Sequence, residues 1–435
     1  MLKSKLHMKH DPSDQSMSAV TTLAIAAVTV LVVSADPAKG DDANSPEPTW
    51  RLNSEISLEY ESERNFNLDR EDDENEAVAQ PEINMELFYQ PNARFGGFAR
   101  LEFSRQYAVS GPEADTEATG LNLAEAYLTR EGISVPGGGE LSLTLGRQRF
   151  ADERQWLYDE QLDGLTLRYD YQAFQLSLSA VRQRNKDLLD DERGEESDNY
   201  IVHGSYEFED RVLGAYVLEQ QKRQDGRERP FFVGLQSYGE LRNDTGYWVE
   251  LSRVRGEDGD NRIRGWGFDG GLTHHFDAPF SPSLVLGYAF GTGDRDPDDG
   301  TDNAFRQTGF HDNEQDVGGL VGLPSLGLVL EPELSNLQVM TAGIGVRPHE
   351  RVSTQLIFHR YQQHRASPTL RDTNLDADPN GTDHDLGYAI DWALGAELSE
   401  VIEFEAVAGY FNPGKAFDDD SDDAYFVGME ISYEF

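Results

Sequence analysis

From Trp50 to Phe435 the chain repeats one kind of unit: a run of about ten residues that alternates apolar with polar, then a polar stretch rich in Gly, Asp and Asn. In AYFVGMEISYEF, residues 424–435, Tyr425, Val427, Met429, Ile431, Tyr433 and Phe435 form one set. Phe426, Gly428, Glu430, Ser432 and Glu434 form the other. A period of two is that of a strand with one apolar and one wet face. The same alternation opens with WRLNSEISLEY at Trp50 and returns in FGGFARLEFSR at Phe95, DGLTLRYDY at Asp163 and IEFEAVAGYFNPG at Ile402. About eighteen such segments fit the chain, an even number within the range of transmembrane barrels.

The connections between segments alternate in length. Those near residues 172, 210 and 349 are short. The long ones are strongly acidic: ERNFNLDREDDENEAVAQ, NKDLLDDERGEESD, GTGDRDPDDGTDN and DDDSDD. Short turns at one end and long loops at the other are the pattern of an outer-membrane barrel. Aromatics near the ends of segments, among them Tyr60, Trp248, Trp266, Tyr361, Trp392 and Tyr433, fit the girdles that such a barrel places at the two interfaces. The expected fold class is therefore all-β: a transmembrane antiparallel β-barrel of about 18 strands, one domain over residues 50–435, with long acidic extracellular loops.

Only AVTTLAIAAVTVLVV, residues 19–33, is apolar enough for a membrane helix, and it falls short of the ~20 residues that span a bilayer. Lys3, Lys5 and Lys9 precede it, and VSA follows at 33–35 with small residues where a signal peptidase reads. This predicts a secretory signal over 1–35, with Met17 as an alternative start, and a disordered leader over 36–49. With no other helical candidate, a membrane location requires a closed barrel, because lipid offers nothing to unpaired backbone groups. The expected surroundings are then outer-membrane lipid and lipopolysaccharide. The terminal aromatic strand resembles the signal read by the bacterial barrel-assembly machinery.

Charge and residue usage exclude other classes. The chain holds 80 Asp and Glu against 37 Lys and Arg, a net −43, which argues against nucleic acid as a partner. With no cysteine, disulfides, thiolate zinc sites and Cys nucleophiles are ruled out. No Ser–His spacing suggests hydrolysis, and no enzyme activity is expected. Asp376, Asp378, Asn380 and Gly381 stand at the first, third, fifth and sixth places of a calcium loop, but the twelfth is Gly387 rather than Glu. No cofactor is expected, with Ca2+ in the acidic loops the one metal left open.

Alternation also assigns the lumen. Phe95, Gly97, Ala99, Leu101 and Phe103 face out, so Arg100, Glu102 and Ser104 face in. The same logic turns Thr166, Arg168 and Asp170 inward, then His203, Ser205 and Glu207, then Glu403 and Glu405. A lumen carrying charges of both signs implies a hydrated channel for a polar solute. One stretch resists. The face of Leu141, Leu143 and Leu145 also carries Arg147 and Arg149. Either the strand has left the bilayer there, or Gly146 marks a bulge that turns both arginines inward.

Four stretches, LGRQRFADERQWLYDEQLDGL, FRQTGFHDN, ELSNLQ and GYFNPGKAF, resemble the outer-membrane alginate-export porins of Gram-negative bacteria. The resemblance implies an eighteen-stranded barrel that passes a secreted uronic-acid polymer through an arginine-lined constriction, with loops that can occlude it. A polyanion needs a positive path to offset its desolvation. Arg149, beside Arg147, matches a constriction arginine of that family, and Asp187 falls where the family has an aspartate near the constriction. The family's arginines before ELSNLQ fall instead on GGLVGLPSLGLVLEP, which contains none, and those of the penultimate strand fall near Glu405 and Val407. Arg100, Arg105, Arg168 and Arg360 are the residues that could rebuild the ring. The implied partners are a polyanionic polysaccharide and, by extension, periplasmic polysaccharide-export components. A general or sugar-specific diffusion porin importing small solutes is the alternative, and an adhesion barrel with a blocked lumen is a third class.

Overall fold

The computed structural model describes residues 48–71, 75–111, 116–184, 188, 196–223, 228–242, 244–315 and 319–435. The signal segment, nearly all of the leader and Asp187 lie outside these residues. The alternating segments become eighteen long antiparallel strands among the described residues. The first six are β1 (Thr49–Arg64), β2 (Asn75–Asn92), β3 (Phe95–Ser110), β4 (Glu117–Ser134), β5 (Glu140–Ala151) and β6 (Asp159–Tyr171). Next come β7 (Phe174–Gln183), β8 (Ser197–Phe208), β9 (Arg211–Lys222), β10 (Glu228–Arg242), β11 (Thr245–Asp258) and β12 (Asn261–His275). The last six are β13 (Ser283–Gly291), β14 (Leu337–His349), β15 (Val352–Gln363), β16 (Asp385–Glu397), β17 (Ile402–Pro413) and β18 (Ala424–Glu434).

Each strand pairs with the next, and β18 returns to β1 with Glu434 opposite Glu55 and Tyr425 opposite Arg64. Phe435 and Ser54 exchange both backbone hydrogen bonds, at 2.9 and 3.1 Å. The sheet therefore has no free edge, as a strand wall in lipid requires. Its outer face carries Leu52, Leu58, Leu128, Leu145, Leu235, Met340 and Ile344, all exposed. In water such a surface would be a large aggregation liability, whereas against acyl chains it is the favourable arrangement.

The girdle expected from the aromatics is real for Tyr60, Trp266, Trp392 and Tyr433, which are exposed. It fails for Trp248 and Tyr361, 7% and 0% exposed. Both lie on the inward parity of their strands, where packing inside the lumen covers them.

The bulge offered for Arg147 is absent. The β5–β6 register runs unbroken through Leu145↔Leu165, Gly146↔Gly164 and Arg147↔Asp163, so there is no bulge, although Gly146 takes φ +133°. Arg147 is neutralised in place. Its Nε and Nη2 donate to the two Asp163 carboxylate oxygens at 2.8 and 2.9 Å, and Nη1 donates to the Leu123 carbonyl at 3.1 Å. That carbonyl is accessible because β4 pairs with β5 only from Ser134 back to Ala126 and parts from it above that level.

Candidate functional site

The lumen is shaped by one connection. Residues 292–315 and 319–336, between β13 and β14, turn inward and pack against the inner wall. Phe305 lies over Gly265, where an added Cβ would stand 2.5 Å from the Phe305 Cα. Gln220 on β9 donates to the Thr308 carbonyl at 3.2 Å. Farther along, Leu320 N donates to Ser353 Oγ, and Gln355 Nε2 to the Val321 carbonyl. Tyr361 donates its hydroxyl to the Leu326 carbonyl, and Leu328 N donates to Asp391 Oδ2 at 3.1 Å. Val329 closes over Gly409 of β17. One segment thus covers the inner wall from β9 to β17. Its sequence explains why. VGLPSLGLVL is apolar on nearly every residue, so it buries Val321, Leu323, Leu326, Leu328, Val329 and Leu330.

A second inward piece, residues 152–158 between β5 and β6, receives the first. Asp152 organises it, accepting from the backbone N–H groups of Leu157, Tyr158 and Trp156 at 2.8, 2.9 and 3.2 Å. Gln307 spans the junction: its Nε2 donates to the Trp156 carbonyl and to Asn313 Oδ1, both at 2.8 Å, and its Oε1 accepts from Leu334 N. Trp156 stacks on Phe305 with centroids 5.7 Å apart. Arg306 pairs with Glu228, Asp258 and Asp302. Glu333 accepts from Gln307 N and binds Arg371 at 3.2 Å, which ties the segment to the connection over 364–384. The four stretches singled out in the sequence are largely these docking points. Their part in docking the inward segments was not legible from spacing, because each makes its contacts with another stretch far away in the chain.

The arginines expected to line a positive path are present, but each holds a carboxylate. Arg149 is bidentate to Asp159 at 2.5 and 2.8 Å, and its backbone N–H donates to Glu125. Arg100 contacts Glu102 at 3.3 Å and Glu125 at 3.6 Å. Arg105 pairs with Glu117. Arg168 pairs with Asp170 at 3.0 Å, and Arg360 with Asp385 at 2.7 Å. The structure brings Arg100, Arg147 and Arg149 together on β3–β5, and Arg168 sits towards the short turns; Arg105 shares the outward parity of exposed Phe103 and Tyr107, and Arg360 that of exposed Leu356 and Phe358, so neither lines the lumen as the sequence had suggested. Beside the first group, β17, β18, β1 and β2, the run of strands that leads into β3, present acids. Glu430 faces Glu59 and Glu405, and Glu434 faces Glu55. Glu82 and Glu403 are also within electrostatic reach of Glu55. The inner wall thus carries an arc of neutralised guanidinium pairs next to an arc of carboxylates. Among the described residues no group of His, Asp and Glu converges as a metal site, at 376–385 or elsewhere.

Solved structures with the same architecture are outer-membrane proteins. Pseudomonas aeruginosa OccK5 (OpdH) superposes with a TM-score of 0.58 at 10% identity, covering 89% of this chain and 98% of that one. P. aeruginosa OccK7 (OpdD) gives 0.57 at 11% identity, with 90% and 99% covered. P. aeruginosa OccK2 (OpdF), in complex with glucuronate, gives 0.56 at 11%, with 88% and 95% covered. At these identities the likeness establishes the barrel fold. No curated protein sequence matches the chain. A family model described as alginate export matches residues 50–425, nearly the whole barrel, its inward segments included, and the chain belongs to the alginate export family of outer-membrane β-barrel channels.

Proposed function

We propose that the protein is a passive channel through which an anionic, uronate-containing exopolysaccharide leaves the periplasm. The observation that carries this reading is the family match over residues 50–425, which takes in both inward segments and not the strand wall alone. The paired arginines support it in a particular way. A free guanidinium ring would hold a polyanion too tightly to release it, whereas conduction needs sites that are entered and left easily. Arg100, Arg149 and Arg168 each offer a carboxylate of the polymer an exchange with a resident Asp or Glu, while the acids of β18, β1 and β2 repel the chain towards that side. OccK2 was solved with glucuronate, so the same fold accommodates a uronate in that protein.

The test is current through single channels in planar bilayers. Polyuronate added to one chamber should interrupt the current, a neutral dextran of equal length should not, and Arg149→Glu should weaken the block. Uninterrupted current in polyuronate would sink the reading. The acidic wall of Glu55, Glu59, Glu405 and Glu430 favours a second reading, a diffusion pore for small cationic solutes, and current that is cation-selective and insensitive to polyuronate would establish it.

A further inference from the structure

The lumen holds a second feature, at the end where the short turns lie, which is the periplasmic end in barrels of this kind. Along one lateral row of the sheet Arg51 stands opposite Phe88, Phe88 opposite Phe98, and Phe98 opposite Tyr127. All four alternate with lipid-facing neighbours such as Trp50, Leu52, Leu87 and Leu128, so they face the lumen. The Phe88 and Phe98 centroids are 4.6 Å apart, and those of Phe98 and Tyr127 5.4 Å. The Arg51 guanidinium carbon lies 4.6 Å from the Phe88 centroid. These groups, with Arg94 and Thr129, line a hollow of about 440 Å3. That volume falls in the range of small-molecule sites, roughly 300–1,000 Å3.

Two properties separate this row from ordinary wall packing. Its rings keep part of their surface exposed, although three adjacent aromatics in a wet lumen gain most by being covered. Its cations also differ from the arginines described above. Neither Arg51 nor Arg94 has a carboxylate partner among the described residues, whereas Arg100, Arg105, Arg147, Arg149, Arg168 and Arg360 all have one. A sugar ring has an apolar C–H face that stacks on an aromatic ring, and a uronate adds a carboxylate that a guanidinium binds through two parallel N–H donors. We infer that the Arg51–Phe88–Phe98–Tyr127 row is a docking platform for uronate rings at the periplasmic mouth, where the polymer first meets the channel. The inference rests on the reading of the chain as an acidic-polysaccharide channel and adds the place where that polymer is captured.

The test is titration calorimetry of the purified, detergent-solubilised protein with a uronic-acid tetramer and with a neutral glucose tetramer. The uronate tetramer should bind and the neutral one should bind at least about tenfold more weakly. Phe98→Leu, which keeps the wall apolar, and Arg51→Gln should each weaken uronate binding about tenfold, with unchanged heat-modifiable gel mobility as the check on folding. Equal affinity in both variants, or no uronate binding by the unaltered protein, overturns the platform. Equal binding of both tetramers overturns its assignment to acidic sugars. Current interrupted by long polyuronate in the Phe98→Leu and Arg51→Gln variants as in the unaltered channel would remove the platform and leave export standing.

Discussion

At the scale of single residues, the barrel deals with charge by pairing it in register. Across one row of the wall, Arg147 faces Asp163, Asp163 faces Arg182, and Arg182 faces Asp198. Because Arg147 is 8% exposed and bidentate, Arg147→Ala should lower stability by about 1–3 kcal/mol by stranding a half-buried Asp163, whereas losing the exposed Arg168–Asp170 pair should cost under ~0.5 kcal/mol. Urea unfolding in detergent, followed by gel mobility, would separate the two; equal losses would contradict the assignment. Glu333 gives a pH dependence. Burial raises its carboxyl from 4.5 to about 7, against the pull of Arg371. A buried acid with a raised pKa holds its proton more tightly folded than unfolded. Its burial therefore costs nothing below 4.5 and costs more as pH climbs towards about 7. Docking of the inward segment should be looser at pH 8 than at pH 5, read as larger current fluctuations, and Glu333→Gln should flatten that dependence.

At the scale of elements, the inward segment between β13 and β14 fills space along the inner wall from β9 to β17. It depends on places where the wall has no side chain. At Gly265 a methyl group would meet Phe305 and Ala304 backbone atoms at 2.5–2.8 Å, and backbone cannot rotate away as a side chain can. Gly265→Val should therefore push the segment off the wall at a cost of about 1–3 kcal/mol in docking while leaving the strands paired. Single-channel conductance reports this directly: a rise is expected, and an unchanged conductance in a correctly folded variant would show that the contact does not set the bore. The apolar run of residues 320–330 has no alternation because it is not a strand in lipid. It is a buried lining, and its near-continuous hydrophobicity follows from being covered on both sides.

At the scale of the molecule, two walls of different character share one lumen. Glu55, Glu59, Glu405 and Glu430, on β1, β17 and β18, carry no arginine opposite them in register, and so they set the field felt by small ions. Small-ion current should prefer cations, and replacing Glu55, Glu59, Glu405 and Glu430 together by Gln should shift the reversal potential in a salt gradient towards neutrality. An anion preference in the unaltered channel would mean that the arginine pairs dominate. How much of this was legible in the sequence follows from range. Strand period, inward parity at Arg100, Arg168, His203 and Glu405, strand number and closure by the last strand all depend on residues one or two apart, or on a count, and each is read along the chain. Position near a strand end misplaced Trp248 and Tyr361, because an aromatic there looks the same whether it meets lipid or the lumen. The sequence by itself determined that this chain becomes a sealed cylinder, oily outside and wet within, because a period of two has one solution in a bilayer. Only the tertiary structure decided which arginines keep a free charge, where the bore narrows, and that Arg51 and a row of three rings face the periplasmic mouth. Those depend on side chains tens to hundreds of residues apart meeting across the barrel, and no local pattern encodes such a meeting.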